Sequence, residues 1–258
     1  MTERMTSRVS ASRIKTYSRC PKQFCYAYNS DKEPTKQDSE FAELGTQVHE
    51  AIEDVLTQED VPMKSKPILQ DAIIERYKGL DEDTLPDRLY ERGIKCCEAA
   101  AGYLYQRQPN IRDVERKTLF AIESADLNVE ASAIIDVATE NEIWDWKTGR
   151  IRDDISHDEK IQGSVYMGTY LEHYGEMPDA IRFVYLSPHA SDEGGKVRTL
   201  EPSDEIWNYM ISNAKELVYG RMNDEYPANP DDHCYFCPFE FWCDETPTGM
   251  GNVPWEEY

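Results

Sequence analysis

Two aspartates and a lysine lie close together between residues 134 and 149. Asp136 lies in an apolar run, and Asp145 and Lys147 follow in Glu142–Lys147. Strand side chains alternate between two faces, so Asp145 and Lys147 share one side, and a short turn brings Asp136 alongside. Carboxylates can hold divalent cations that activate water, and a nearby lysine can orient that water, help to deprotonate it or stabilise developing charge. The pattern predicts phosphodiester hydrolysis; the alternative is an ordinary exposed salt bridge on a strand.

Two predicted helices carry further polar residues with helical spacing. His49 lies one turn after Gly45 on an amphipathic helix, and the glycine would leave room for close approach of another element. Gln162 and Tyr166 share one face of a second helix. Each feature alone is typical of helix surface or packing. Together with the carboxylates, they strengthen the prediction of a catalytic site.

Three of the seven cysteines form a compact set near the end of the chain, Cys234-x-x-Cys237-x-x-x-x-x-Cys243. In an intracellular chain, such spacing favours a metal site or buried thiols over disulfides. Two thiolates separated by two residues can reach one metal centre. Three ligands leave one position for a fourth.

Taken in order, these segments resemble the successive motifs of the RecB-like nucleases of the PD-(D/E)xK class. The matching segments are Gly45-x-x-x-His49, Ile135-Asp136-Val137, Asp145-Trp146-Lys147-Thr148-Gly149 and Gln162-x-x-x-Tyr166. The segment from Ser10-Ala11-Ser12-Arg13-Ile14 through Tyr17 to Cys20-Pro21 is also similar to the start of that family, so the resemblance covers about residues 10 to 243. Ala133 stands where the family often has glycine, and no catalytic position is missing.

The resemblance implies an α/β, restriction-endonuclease-like fold with a mixed central sheet, and a role for each motif. The implied ligands for Mg²⁺ or Mn²⁺ are His49, Asp136, Asp145 and the main-chain carbonyl of Trp146. Lys147 becomes the catalytic lysine, while Gln162 and Tyr166 contact DNA or support the site. Glu115 is a weaker match to a further acidic motif.

Within that family, the chain is most similar to an iron–sulfur subgroup that includes the CRISPR adaptation exonucleases and the nuclease domain of AddB. There, one early cysteine joins a late C-x2-C-x5-C set to hold a [4Fe-4S] cluster. The resemblance therefore implies Cys20 as the fourth ligand beside the Cys234, Cys237 and Cys243 set. Cys25 and His233 are alternatives, and spacing alone would allow zinc nearly as well. Tying the two ends of the chain together would contribute roughly 5 kcal/mol, which gives the cluster a structural role.

The remaining pattern predicts helices before the sheet and after it. Residues 1–110 form a predicted helical region that carries Cys20 and His49, with one helix near Leu44–Leu56 and another over Arg88–Arg107, where Cys96 and Cys97 are expected to pack. The predicted strands are Thr118–Glu123, Leu127–Ala138, Glu142–Lys147 and Ile181–Ser187, with a crossover helix over Asp158–Tyr174. A hairpin at Gly194 and Gly195 and a helix capped by Ser203 complete a nuclease core over 111–222. The tail, 223–258, is expected to bind the cluster, and the three regions form one integrated domain.

The charge balance is unusual for a DNA-binding protein, with 50 acidic against 28 basic residues and a net charge of -22. Phosphate contacts normally require a basic surface. There are three alternatives: an acidic protein that binds no nucleic acid, a nuclease with a local basic groove, or a protein adapted to molar salt. The even spread of acidic residues along the chain favours adaptation to molar salt. No apolar run reaches membrane-spanning length and the first ten residues lack a signal-peptide core, so a cytoplasmic location is expected.

The sequence therefore predicts a metal-dependent exonuclease for single-stranded DNA ends, with 5′-to-3′ polarity suggested by the resemblance. A non-catalytic DNA-end-binding or assembly factor for CRISPR adaptation or recombination is one alternative, and a structure-specific endonuclease is another. No phosphate-binding loop is found, so a helicase would be a separate partner, as would a CRISPR integrase. Aromatic residues near both ends could stack bases or pack around the cluster. These are Tyr17, Tyr26, Tyr28, Tyr235 and Phe236.

Overall fold

The architecture is that of a mixed sheet with helices on both faces. It is given by a computed structural model that describes residues 7–34, 40–58, 60–61, 63–80, 85–124, 127–151, 154–186 and 196–245. Within these ranges the strands are β1 (Ser7–Ser10), β2 (Ile111–Ser124), β3 (Leu127–Thr139), β4 (Glu142–Lys147), β5 (Ala180–Tyr185) and β6 (Lys196–Leu200). Their order is β1-β3-β4-β5-β6, and β2 pairs with β3.

The long strand β3 organises the sheet. Antiparallel β2 pairs with it along nearly its whole length, which leaves one edge for the other neighbours. On that edge, β1 pairs in parallel with residues 129–132 and β4 pairs antiparallel with residues 137–138. The edge of β3 between β1 and β4 forms a fork, and Asp136 lies in it.

One face of the sheet is covered by helices α1 (Ala11–Arg19), α2 (Pro21–Tyr28), α6 (His157–Tyr174) and α7 (Asp204–Asn223). Helix α6 connects β4 to the parallel strand β5, a connection that requires a crossover. It begins with a capping box formed by Ser156 and Glu159. A Cβ at Gly168 would lie 2.2 Å from the Phe120 ring, so only glycine allows α6 to approach β2 this closely.

The other face is covered by α3 (Glu40–Leu56), α4 (Lys66–Leu80) and α5 (Asp87–Arg107). Their apolar faces pack on Val137, Trp144, Trp146 and Val184 from the sheet. The alternation predicted for β4 is therefore confirmed, because its two tryptophans lie in this core while Ile143 lies in the core of the opposite face. Burial of these side chains supplies the main driving force that keeps the strand in this register.

Several predicted boundaries need correction. The N-terminal region is not entirely helical, because Ser7–Ser10 form β1, a short strand that pairs with β3. Strand β2 begins at Ile111, seven residues before the predicted start, and β5 ends at Tyr185. Strand β4 and the cap of α7 by Ser203 agree with prediction, and α6 begins one residue earlier, at His157. The predicted hairpin at Gly194 and Gly195 lies outside the described residues.

The sequence predicts no membrane-spanning segment, and the described helices can be compared with that prediction. In the described ranges, no helix combines the length and apolar character needed to cross a bilayer.

Candidate functional site

Asp136 lies at the fork, close to the end of β4. The residue is 8% exposed, and its Oδ2 accepts a hydrogen bond of 2.8 Å from the Trp146 main-chain N–H. The pKa of Asp136 is raised well above its usual range, first by burial and then by the neighbouring Asp145 carboxylate. The fold thus holds two acidic groups together in a buried place.

Asp145 is the more deeply buried carboxylate, with 1% of its surface exposed. Its Oδ1 accepts hydrogen bonds from Gln162 Nε2 at 2.8 Å and from Tyr166 Oη at 2.7 Å. Its Oδ2 forms an ion pair with Lys147 Nζ at 2.6 Å, yet accepts no well-directed hydrogen bond from the described residues. Gln162 and Tyr166, predicted to share one face of α6, therefore both hold Asp145 in position.

His49 and Glu115 complete a cluster with Asp136. One ligand atom from each of these three residues lies within 4.8 Å of the others. His49 Nε2 lies 2.9 Å from the Trp146 carbonyl oxygen and its Nδ1 lies 3.4 Å from Asp136 Oδ2. Burial lowers the pKa of His49 and favours the neutral ring, so Nε2–H donates to the carbonyl and the Nδ1 lone pair faces the carboxylate.

Glu115 reaches this cluster through an unusual backbone conformation. Its φ is +49°, in the left-handed region that non-glycine residues rarely adopt, within an otherwise extended strand. The pKa of Glu115 is raised to about 7, first by burial and then by the Asp136 carboxylate. The weaker acidic match in the sequence thus lies among the candidate metal ligands.

This donor set fits a divalent cation. The Glu115 and Asp136 carboxylates converge with His49, and the buried Asp145 carboxylate, whose Oδ2 pairs with Lys147, lies beside them. Buried like charges are unfavourable unless a cation neutralises them, and oxygen-rich sites suit Mg²⁺ and Mn²⁺. The three-residue cluster contains His49 and Asp136 from the predicted ligand set, with Glu115 in place of Asp145.

Lys147 lies beside the two aspartates. Its Nζ donates to Gln162 Oε1 at 3.0 Å as well as pairing with Asp145. Burial disfavours the charged amine, but the Asp145, Asp136 and Glu159 carboxylates together outweigh this effect, so the pKa of Lys147 is raised. The amine is therefore a positive charge next to the cluster.

The segment after β4 is held from two helices. A Cβ at Gly45 would lie 3.2 Å from Thr148 Oγ1, which confirms the close approach expected at this glycine and explains how α3 brings His49 to the strand end. Arg92 on α5 donates to the Thr148 carbonyl at 2.7 Å. Neither Arg92 nor Lys15, which lies 3.5 Å from Gln162 Oε1, has a sequence pattern that could have revealed its position.

A second candidate site lies around four cysteines. Cys20 lies between α1 and α2, and the other three follow α7, on and beside two short 3₁₀ helices, Asp232–Phe236 and Glu240–Trp242. Four thiols line one open cavity; they belong to Cys20, Cys234, Cys237 and Cys243. Burial raises the pKa of Cys237.

The other cysteines and the alternative ligands are distributed differently. Cys96 and Cys97 are fully buried in α5, as predicted. His233 lines the cysteine cavity and its buried Nε2 has no hydrogen-bond partner among the described residues, whereas Cys25 is not among the lining residues.

The five aromatic residues considered for base stacking have different environments. Tyr17 is buried against Phe24 in the core and donates to the Glu225 carbonyl, so it is a packing residue. Tyr26 donates to the Trp242 carbonyl close to the cysteine cavity. Tyr28 and Phe236 are exposed, at 41% and 58%.

Comparison with known proteins assigns the family. The model of the PD-(D/E)XK nuclease superfamily matches residues 8–244. The chain belongs to this superfamily. PD-(D/E)XK nucleases use divalent metals, in agreement with the cluster at the fork, and the prediction of an α/β, restriction-endonuclease-like fold is confirmed. No curated protein sequence matches the chain.

One solved structure shows the same fold at low sequence identity. A structure from Eubacterium rectale, called "Putative exonuclease", aligns with a TM-score of 0.53 and 12% identity over 85% of this chain and 83% of its own. The structure of SSO0001 aligns with a TM-score of 0.49 and 14% identity over 95% of this chain and 90% of its own, which is too weak a similarity to support an inference. At 12% identity, the first similarity concerns the fold alone.

Proposed function

We propose that this PD-(D/E)XK nuclease is a Mg²⁺- or Mn²⁺-dependent exonuclease that hydrolyses single-stranded DNA from its ends, with 5′-to-3′ polarity. The observation that carries the proposal is the convergence of His49, Glu115 and Asp136 beside the Asp145–Lys147 pair at one sheet edge. The preference for ends and the polarity both rest on the resemblance to RecB-like nucleases.

In this proposal, each side chain at the fork has a distinct role. His49, Glu115, Asp136, Asp145 and the Trp146 carbonyl would hold the metal. A bound divalent cation supplies charge neutralisation on the phosphate and lowers the pKa of a water. Lys147 orients the attacking water or stabilises charge on the phosphate oxygens. Gln162 and Tyr166 keep Asp145 aimed at the fork through their hydrogen bonds.

We also infer that the four-cysteine cavity holds a [4Fe-4S] cluster with a structural role. The inference rests on the resemblance to the iron–sulfur subgroup and on the four thiols that line one cavity. In this arrangement, residues 1–110 supply His49 and the first cluster ligand, 111–222 form the catalytic core, and 223–258 close the cluster site.

The decisive experiment follows end-labelled single-stranded DNA in molar KCl with Mn²⁺. It compares anaerobically purified protein with Lys147→Ala and, as a matched control, Lys78→Ala, an exposed lysine near the end of α4. Successive shortening from one end, abolished by Lys147→Ala and preserved in Lys78→Ala, supports the exonuclease and shows its polarity. No cleavage by folded, cluster-loaded protein would favour the DNA-end-binding alternative.

Circular single-stranded DNA separates the proposed exonuclease from the endonuclease alternative, because an exonuclease requires an end. We expect the circle to survive while its linearised form is degraded. Cleavage of both at similar rates would favour an endonuclease. A helicase or a CRISPR integrase in the cytoplasm remains the proposed partner, and co-purification from the native cell tests that part.

The net charge of -22 supports function in molar salt. Repulsion between surface carboxylates is screened over a few ångströms at such concentrations and grows as salt is removed. We expect the protein to lose structure below about 0.5 M salt, with circular dichroism as the measurement. A spectrum that is unchanged in dilute buffer would overturn this proposal.

A further inference from the structure

Lys15 is a second lysine at the fork. It lies on α1, which starts directly after β1, and its Nζ is 3.5 Å from Gln162 Oε1. The same oxygen accepts a hydrogen bond from Lys147 Nζ at 3.0 Å. Two ammonium groups thus share one neutral acceptor beside the candidate metal site.

Lys15 differs from Lys147 in having no carboxylate of the described residues within ion-pair distance. Lys147 pairs with Asp145, but Lys15 forms no ion pair with any carboxylate in the described part of the chain. The chain has 50 acidic residues, so the missing partner does not reflect a shortage of carboxylates. Burial and then the charge of Lys147 lower the pKa of Lys15, and the Asp145 and Asp158 carboxylates offset this effect only in part.

The position of Lys15 is well anchored. On the same helix, Ser18 donates to Asn213 Oδ1 at 2.9 Å, and Arg19 pairs with Asp158. The neighbouring Tyr17 donates to the Glu225 carbonyl at 3.2 Å. Helix α1 is therefore fixed against α6 and the end of α7, which holds the Lys15 amine near the fork before any substrate binds.

A half-buried cation beside another cation becomes favourable when an anion joins them. We propose that Lys15 binds a non-bridging phosphate oxygen of the DNA strand at the fork, next to the phosphate that Lys147 contacts. This inference rests on the proposed nuclease function. It adds a substrate-binding residue from α1 to a site whose other members come from α3, the sheet and α6.

The salt dependence of binding tests this contact. Affinity for an oligothymidylate is measured between 0.5 and 2 M KCl in EDTA, which removes free divalent metal and prevents cleavage. Each phosphate contact with single-stranded DNA contributes about 0.7 to the slope of log K against log salt. We expect the slope for Lys15→Gln to be shallower by about 0.7, and those for Lys15→Arg and the surface control Lys78→Gln to match wild type.

If Lys15 only positioned Gln162, Lys15→Gln would change the cleavage rate but leave the salt-dependence slope unaltered. An unaltered slope in Lys15→Gln would therefore overturn the inference. Should Lys15→Gln fail to fold, acetylation of lysines in the wild-type protein gives the answer: the oligonucleotide should protect Lys15 but not Lys78, and equal modification would overturn the inference. Wild-type protein that neither binds nor cleaves DNA would instead refute the proposed function.

Discussion

The fork and the cysteine cavity are built in different ways. At the fork, side chains from a sheet and two helices hold one another through hydrogen bonds, as Gln162 and Tyr166 do for Asp145. The cysteine cavity brings the α1–α2 junction together with a segment that contains only short 3₁₀ helices. The fork is thus shaped by the packed fold, whereas the cysteine cavity lies beside described residues that have little regular structure.

The two sites also differ in their expected effect on stability. The fork concentrates acidic groups in a buried place, which raises the pKa of Asp136 and Glu115 and opposes folding until a cation binds. The cysteines connect distant parts of the chain, so a bound cluster restricts the unfolded state. Removing a cluster from the cysteine cavity should therefore lower the stability of the whole protein. Removing the metal ion from the fork should mainly lower the activity.

The largest expected effect comes from Cys237→Ser. Loss of a cluster ligand should lower the free energy of unfolding by about 3–5 kcal/mol. The matched substitution at the fork, Asp136→Asn, should abolish cleavage without a loss of stability. It relieves the repulsion with Asp145, and the amide oxygen can still accept the hydrogen bond from the Trp146 main-chain N–H. Guanidinium unfolding in molar KCl measures both, and equal stability of Cys237→Ser and wild type would contradict the structural role of the cluster.

Glu115→Gln should stabilise the metal-free protein. The folded pKa of Glu115 is raised to about 7 from 4.5, so the folded state holds the proton more tightly. The wild-type protein is therefore most stable below the pKa that Glu115 has in the unfolded state, and its stability falls as the pH rises from 4.5 to about 7. With allowance for solvent screening, Glu115→Gln should raise the free energy of unfolding by about 1–2 kcal/mol at pH 8 and by little at pH 4.5. Guanidinium unfolding at both pH values measures this difference.

Glu115→Gln should have the opposite effect on metal binding. Removing one ligand should weaken Mn²⁺ affinity at least tenfold at pH 8, measured by titration calorimetry, since a neutral amide is a poorer ligand than a carboxylate. A variant that is more stable without metal yet binds Mn²⁺ as wild type does would show that Glu115 lies outside the metal site. Unchanged stability at pH 8 would contradict the electrostatic account.

The smallest expected effect is that of Tyr166→Phe. It removes the hydroxyl that donates to Asp145 Oδ1, while Gln162 still donates to that oxygen, so the loss should be about 1 kcal/mol. Cleavage should fall about tenfold because Asp145 is held less firmly. Tyr170→Phe, one turn further along α6, removes hydrogen bonds to two main-chain carbonyls and is the matched control. Equal cleavage by both variants would argue against the positioning role of Tyr166.

The sequence predicted best the features that depend on local pattern. The bounds of β4 and the Ser203 cap were correct because alternation and capping act over a few residues. Strand β1 was not predicted, because four residues carry little periodicity and its pairing with β3 joins distant parts of the chain. The early start of β2 was likewise missed, since its first residues carry a mixed pattern and gain their strand conformation from pairing with β3.

The sequence alone determined the chemistry available at the fork. The spacing within β4 places Asp145 and Lys147 on one face of the strand, and the spacing within α6 places Gln162 and Tyr166 on one face of the helix. Only the tertiary structure brought Glu115 and Lys15 there. Glu115 depends on a left-handed backbone conformation within a strand, and Lys15 depends on the docking of α1 against α6. Neither leaves a periodic signal, because both positions are set by packing between segments that are far apart in the chain.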